Sequence, residues 1–124
     1  MTESVGIDLI EVARIQKAVE QRGDRFLNRV FTEQERAACQ RKHNEYQSLA
    51  ARFAAKEAVF KALGTGWSAG AKWTDIEVIN NSFGKPEVVL HGKVKEIVGT
   101  RTVAISLTHT RKYAQAVAVL GNEQ

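Results

Sequence analysis

Glu57 and Lys61 stand four residues apart in the segment Arg52-Phe53-Ala54-Ala55-Lys56-Glu57-Ala58-Val59-Phe60-Lys61. On a helix that spacing puts both side chains on neighbouring positions of one face. Such a pair is either a surface ion pair worth about 0.3–0.5 kcal/mol, or a site where the ammonium meets a phosphate and the carboxylate a metal. Projected at about 100° per residue, Glu57 lies at the edge of the face defined by Leu49, Phe53 and Phe60, where partial desolvation demands a partner. Lys56 falls nearer the middle of that stripe, so its stem packs and its ammonium is structural or reaches a phosphate. A second carboxylate, Asp8, sits among apolar neighbours in Val5-Gly6-Ile7-Asp8-Leu9. Backbone donors, an arginine or a metal would satisfy it there. Two carboxylates from different elements can hold Mg²⁺ while water and phosphate oxygens fill its other positions, and Mn²⁺ would suit the same ligands. Gly64 and Gly66 would let backbone donors approach that phosphate, although Gly64 reads equally well as a helix cap. His109 ends an apolar strand just before a turn, where capping the hairpin is favoured over bonding a phosphate.

These side chains need elements to carry them. Val5, Ile7 and Leu9 alternate with Gly6 and Asp8, which predicts a strand. Ile15, Ala18 and Val19 at helical spacing predict a helix over 11–21 that stops near Gly23 and leaves Arg14, Lys17 and Arg22 pointing outward. Thr32-Glu33-Gln34-Glu35 is a capping box that starts a second helix. A third runs from Leu49 to Leu63, with Gly64 placed to end it. Ile76 to Ile79 and Pro86 to Leu90 read as a hairpin, Lys93 to Val98 as a short helix, and Val103 to His109 with Tyr113 to Leu120 as a second hairpin. The order strand, helices, then four strands predicts an α+β domain with helices packed on one face of a mainly antiparallel sheet. One strand strains that picture, because Tyr113 to Leu120 is apolar on both faces. Helices of the same chain or packed subunits must cover its second face.

The 124 residues fit one domain spanning 1–124, and the 44% hydrophobic and 26% charged content is that of a folded globule. No apolar run approaches the ~18 residues of a membrane span, and the first residues lack a secretory signal, so a cytoplasmic protein is expected. The single Cys39 can form no internal disulfide. A net charge of +4 favours an acidic partner. A nucleic-acid-binding module is the competing class, but only 7% of residues are aromatic and the predicted strands show no exposed aromatic pair for base stacking.

Gly6-Ile7-Asp8-Leu9-Ile10-Glu11, followed by Arg52-Phe53-Ala54-Ala55-Lys56-Glu57-Ala58 and Lys61-Ala62-Leu63-Gly64, resembles the holo-acyl-carrier-protein synthases, which are small phosphopantetheinyl transferases. The resemblance continues through Gly84-Lys85-Pro86 and Ser106-Leu107-Thr108-His109-Thr110 in the same order, across nearly the whole chain. It implies the phosphopantetheinyl transferase fold, with Asp8 and Glu57 as metal ligands and Lys61 and His109 as catalytic residues near the coenzyme A phosphates. It further implies that Arg52, Lys56, Gly64, Thr65, Gly66 and Pro86 help bind coenzyme A, and that a homotrimer carries its active sites between subunits. The implied reaction, part of fatty acid biosynthesis, is attack by a serine of an acidic apo acyl carrier protein on the phosphopantetheine phosphorus of coenzyme A. Adenosine 3′,5′-bisphosphate would leave, and Glu57 or a metal-bound water would take the serine proton. Exposed Arg14, Lys17, Arg22 and Arg25 would steer the carrier protein. A non-catalytic trimeric scaffold of the same fold is disfavoured by the presence of Asp8, Glu57, Lys61 and His109.

Overall fold

The computed structural model describes residues 2–64 and 70–122. A first strand, β1 (Thr2–Glu11), leads into α1 (Val12–Arg22), α2 (Asp24–Val30), α3 (Glu33–Gln40) and the long α4 (Glu45–Leu63). After a 3₁₀ turn at Trp73–Asp75 come β2 (Ile76–Asn80), β3 (Pro86–Leu90), α5 (Gly92–Val98), β4 (Thr102–His109) and β5 (Tyr113–Gly121). Among the described residues all strand pairs are antiparallel, in a three-stranded sheet of order β1-β5-β4 and a separate β2-β3 hairpin. The α+β expectation holds, with the strands divided between two sheets.

Each helix has a local cause. Gly23, at φ 56°, ends α1 as expected, but the chain starts a new helix at once. That helix, α2, buries Leu27 and Val30 and is too short to show a helical period in the sequence. The capping box of α3 forms in full: Thr32 Oγ1 accepts from Glu35 N at 3.2 Å, and Thr32 N donates to Glu35 Oε1 at 2.9 Å. Thr32 Oγ1 also donates to Glu77 Oε2 at 2.6 Å, tying the cap to β2. Thr32→Ala is therefore expected to cost about 0.5–2 kcal/mol, read as a lowered urea midpoint, with Thr32→Ser losing less.

The helix expected over Leu49 to Leu63 begins four residues earlier, at Glu45, and buries far more than one stripe. Ala50, Ala51, Ala54, Ala55, Ala58 and Ala62 are all buried, because α4 runs through the centre with the three-stranded sheet on one side and α1, α3 and β2 on others. Small side chains let several elements approach one helix.

The alternation of β1 is as read, but Val5, Ile7 and Leu9 face away from α4. Gly6 and Ile10 are buried against the helix side, with Asp8 half-buried between them, while Val5, Ile7 and Leu9 are 56%, 55% and 61% exposed. In β5 the alanines at 114, 116 and 118 and Leu120 are buried toward α4, and Val117 and Val119 lie opposite Ile7 and Val5 on the outer face. The chain's own helices cover one face of the sheet. Of the two covers expected for β5, these helices supply only one.

Candidate active site

Gly6 decides how closely β1 approaches α4. A Cβ built on Gly6 would lie 1.9 Å from the carbonyl oxygen of Ala58 and 2.7 Å from the amide nitrogen of Ala62. Strand and helix therefore cross backbone to backbone, and the next residue on the same face of the strand, Asp8, lands beside the helix turn that carries Glu57 and Lys61. Lys61 Nζ donates to Asp8 Oδ1 at 3.0 Å and to the Ile7 carbonyl at 3.0 Å. The i, i+4 ion pair available to Glu57 and Lys61 is not the one formed; the lysine pairs across elements with Asp8. Among the described residues Glu57 has no ion pair or hydrogen bond.

The consequence is electrostatic. Burial and the Asp8 carboxylate push Glu57 above the usual carboxylate range, against the opposing pull of Lys61 and Arg14. Two carboxylates close enough that the charge of Asp8 raises the proton affinity of Glu57 are a place where a cation is favoured. Among the described residues no third histidine, cysteine or carboxylate joins them. A cation here would keep most of its coordination positions for water and substrate oxygens, as Mg²⁺ does when it binds phosphates. The residues present thus fit the ion.

His109 lies at the end of β4 in register with Ala114 and, across it, Ile10, on the α4 side of the sheet and exposed. It is not the hairpin cap. Thr110 takes that role, its Oγ1 accepting from Lys112 N at 3.3 Å and Tyr113 N at 3.1 Å. The imidazole has no hydrogen-bond partner among the described residues.

The residues expected around coenzyme A separate. Gly64 takes the left-handed conformation, φ 74°, and donates to the carbonyls of Phe60 and Lys61 as the cap of α4. Thr65 and Gly66 lie outside the described residues. Lys56 cannot reach a ligand: its side chain is 0% exposed, and its ammonium donates to Glu35 Oε1 at 2.8 Å and to the carbonyls of Ile76 and Trp73 at 2.5 and 3.2 Å. The stripe position that suggested snorkelling is enclosed by α3 and the start of β2, so Lys56 is a core residue.

Arg52 and Lys61 are nine residues apart on α4, about 180° around the helix axis at 3.6 residues per turn. Arg52 therefore faces the opposite side, into a cleft of about 470 Å³ lined also by Gln34, Arg41, Lys42, Val78 and Asn80. It is 4% exposed, and its Nε is the one buried side-chain nitrogen or oxygen without a hydrogen-bond partner among the described residues. Buried polar atoms are normally paired, and Arg52 is an exception beside a cleft that also carries Arg41 and Lys42. Pro86 opens β3 opposite Asn80, at the same end of the cleft. Arg41 and Lys42 were missed in the sequence because nothing in the stretch 40–47 set two adjacent cations apart from solvated charge.

Arg14, Lys17, Arg22 and Arg25 are all exposed, as expected. Arg14, Lys17 and Arg22 rim a groove floored by Ile10, Ile15, Phe26 and Phe53. Arg29, not singled out in the sequence, joins Arg22 and Arg25 around Phe26.

The model of the 4′-phosphopantetheinyl transferase superfamily matches residues 4–118. The chain belongs to that superfamily. It is 46% identical to the holo-[acyl-carrier-protein] synthase of Solibacter usitatus, over 98% of this chain and 100% of that one. The same-named protein of Chlamydia trachomatis serovar D is 51% identical over 93% of this chain and 96% of its own. Among solved structures, the Bacillus anthracis holo-(acyl-carrier-protein) synthase in complex with CoA (3′,5′-ADP) superposes with a TM-score of 0.83 at 35% identity, over 99% of each chain. The Helicobacter pylori synthase in complex with coenzyme A superposes with a TM-score of 0.84 at 30% identity, over 94% of this chain and 99% of that one. The fold of this phosphopantetheinyl transferase is thus that of the synthases, and Asp8, Glu57 and Lys61 lie together where its first strand meets its central helix.

Proposed function

We propose that this transferase moves the 4′-phosphopantetheine group of coenzyme A to a serine of an acidic apo acyl carrier protein in fatty acid biosynthesis, with Asp8 and Glu57 holding Mg²⁺ or Mn²⁺. The observation that carries the reading is the convergence of Asp8, Glu57 and Lys61 on one point of the β1–α4 crossing. The serine oxygen attacks the phosphorus attached to the pantetheine arm, the bond from that phosphorus to the bridging pyrophosphate oxygen breaks, and adenosine 3′,5′-bisphosphate leaves with the bond's electron pair. A divalent cation at Asp8 and Glu57 would stabilise charge on the phosphoryl oxygens. Lys61 stands ready to pair with those oxygens. Glu57, whose proton affinity is raised, is a candidate acceptor for the serine proton. His109, at the open end of β4, offers a donor to a phosphate.

We infer a homotrimer with active sites between subunits, and two observations support it. The Asp8 site and the Arg52 cleft lie on opposite sides of α4, so one chain cannot offer both to one coenzyme A, whereas adjoining subunits can. Val5, Ile7 and Leu9 form an exposed apolar row on the sheet, and such a row is normally covered by an interface. In this arrangement Lys61 meets the reacting pyrophosphate. The partner's cleft, with its three cations Arg41, Lys42 and Arg52, takes the 3′-phosphomonoester, the phosphate remote from the reaction.

The test is mass spectrometry of apo acyl carrier proteins incubated with coenzyme A and this chain, with Mg²⁺ or with a chelator. Metal-dependent addition of one phosphopantetheine group is expected, and no addition to any carrier would refute the reading. Carrier docking is tested separately. Arg22→Glu with Arg25→Glu is expected to raise KM for the carrier severalfold, leave KM for coenzyme A unchanged, and weaken the salt dependence of the carrier KM.

A further inference from the structure

Glu35 and Lys56 are fully buried charges that the transfer chemistry does not use, since neither reaches the Asp8 site nor lines the Arg52 cleft. Burying an ion pair is weak evidence for stability, because desolvation offsets much of the attraction, and its best-attested use is to fix the register of packed elements. Here three elements are fixed. Lys56, from α4, bonds Glu35 of α3 and the Ile76 carbonyl at the start of β2. Glu35 Oε1 also accepts from Thr32 N, and its Oε2 accepts at 2.7 Å from Val78 N. That amide points away from the β3 partner strand, so the carboxylate stands in for a missing neighbour on the open edge of β2.

The same three elements line the cationic cleft. Gln34, Ala37, Ala38 and Arg41 come from α3 and its C-terminal cap, Arg52 from α4 one turn before Lys56, and Val78 to Asn80 from β2. Glu35 lies between Gln34 and Ala37 in α3, and its bond to Val78 holds the two walls of the cleft at a set distance. With Lys56 taken by Glu35, the carboxylate is held within the core and Arg52 lines the cleft beside it. We infer that Glu35 and Lys56 are positioning residues that set the width of this cleft, and through it the preference for coenzyme A over an analogue lacking the 3′-phosphomonoester. The inference rests on the reading of the cleft as the 3′-phosphate site.

Steady-state transfer with coenzyme A and with 3′-dephospho-coenzyme A, measured on the full chain, tests it. Glu35→Gln with Lys56→Met removes both charges together. Glu35→Asp keeps the charge but withdraws the carboxylate by one methylene, which covers the case in which the double variant does not fold. In either folded variant KM for coenzyme A is expected to rise about tenfold, the loss from loosening a charged hydrogen-bond site. The kcat and the KM for 3′-dephospho-coenzyme A should stay unchanged, so preference falls selectively. A preference equal to that of the unaltered chain, or a parallel loss on both substrates, would show the pair to be merely structural and overturn the inference. If the unaltered chain transfers from both substrates with equal KM, the 3′-phosphate reading of the cleft fails as well; if it transfers from neither, the proposed function fails.

Discussion

Glu57→Gln is expected to lower kcat for phosphopantetheine transfer by about 10²–10⁴-fold, the range for loss of a positioned acid or base, without lowering thermal stability. The two halves of that result have one cause. Burial and the neighbouring Asp8 carboxylate both disfavour the ionised form of Glu57, so the folded chain holds this charge at a cost. Glutamine keeps the shape and removes the charge, relieving repulsion in the folded state while deleting the proposed metal ligand and candidate proton acceptor. Stability should rise slightly or stay level, as it does where a site is held in a strained state for function. Asp8→Asn should be as inactive but should not gain stability, because it also weakens the 3.0 Å bond to Lys61. Single-turnover transfer followed by mass spectrometry, together with melting curves of both variants, checks the pair. A Glu57→Gln enzyme with full metal-dependent activity would remove Glu57 from the chemistry, and one that melts far below the unaltered chain would make it a structural residue.

The sequence displays Asp8, Glu57 and Lys61 as separate weak signals, and their convergence becomes visible only when β1 lies on α4. Spacing places Lys61 next to Glu57, yet tertiary structure gives it to Asp8. Lys56 shows the opposite outcome. Its position in the middle of an apolar stripe is legible, but a stripe cannot say whether a lysine there escapes to solvent or is enclosed, and the closing residue, Glu35, lies 21 positions away. Arg52 likewise reads as one more charge near the helix, and only the turn of α4 shows that it serves a different surface from Lys61. Helix α2 is missed because Gly23 is a sound stop signal for α1 and seven residues are too few to display a new period. The doubly apolar β5 is legible as a problem that the chain's own helices answer on one face: α4 covers that face, and the row of Val5, Ile7 and Leu9 continues the uncovered one. Long periodic elements and hairpins were readable because local pattern determines them; which partner each charge finds is a long-range property.

Gly6 carries the largest structural consequence for the site. In the sequence it reads only as the small member of an alternating strand, but its missing side chain is what lets β1 touch the backbone of α4. Gly6→Ala would place a methyl group 1.9 Å from the Ala58 carbonyl oxygen. No rotamer change relieves that contact, since the obstacle is a backbone atom inside a helix, and Ala58→Gly would not rescue it for the same reason. The strand must move off the helix, at a cost of about 1–3 kcal/mol or more for overpacking in a well-filled core. Moving the strand also carries Asp8 away from Lys61 and Glu57. A misplacement of about 1 Å in a catalytic group can lower the rate ~10²-fold, so even protein that remains folded below its lowered melting temperature should transfer slowly. The two effects are separable by measuring the urea midpoint and, at a temperature where the variant is fully folded, the rate of transfer. A lower midpoint with an unimpaired rate would mean that the site tolerates displacement of β1, and that Asp8 does not need its present distance from α4. Loss of both, with no recovery in Gly6→Ala/Ala58→Gly, is the result required if the backbone crossing itself builds the site.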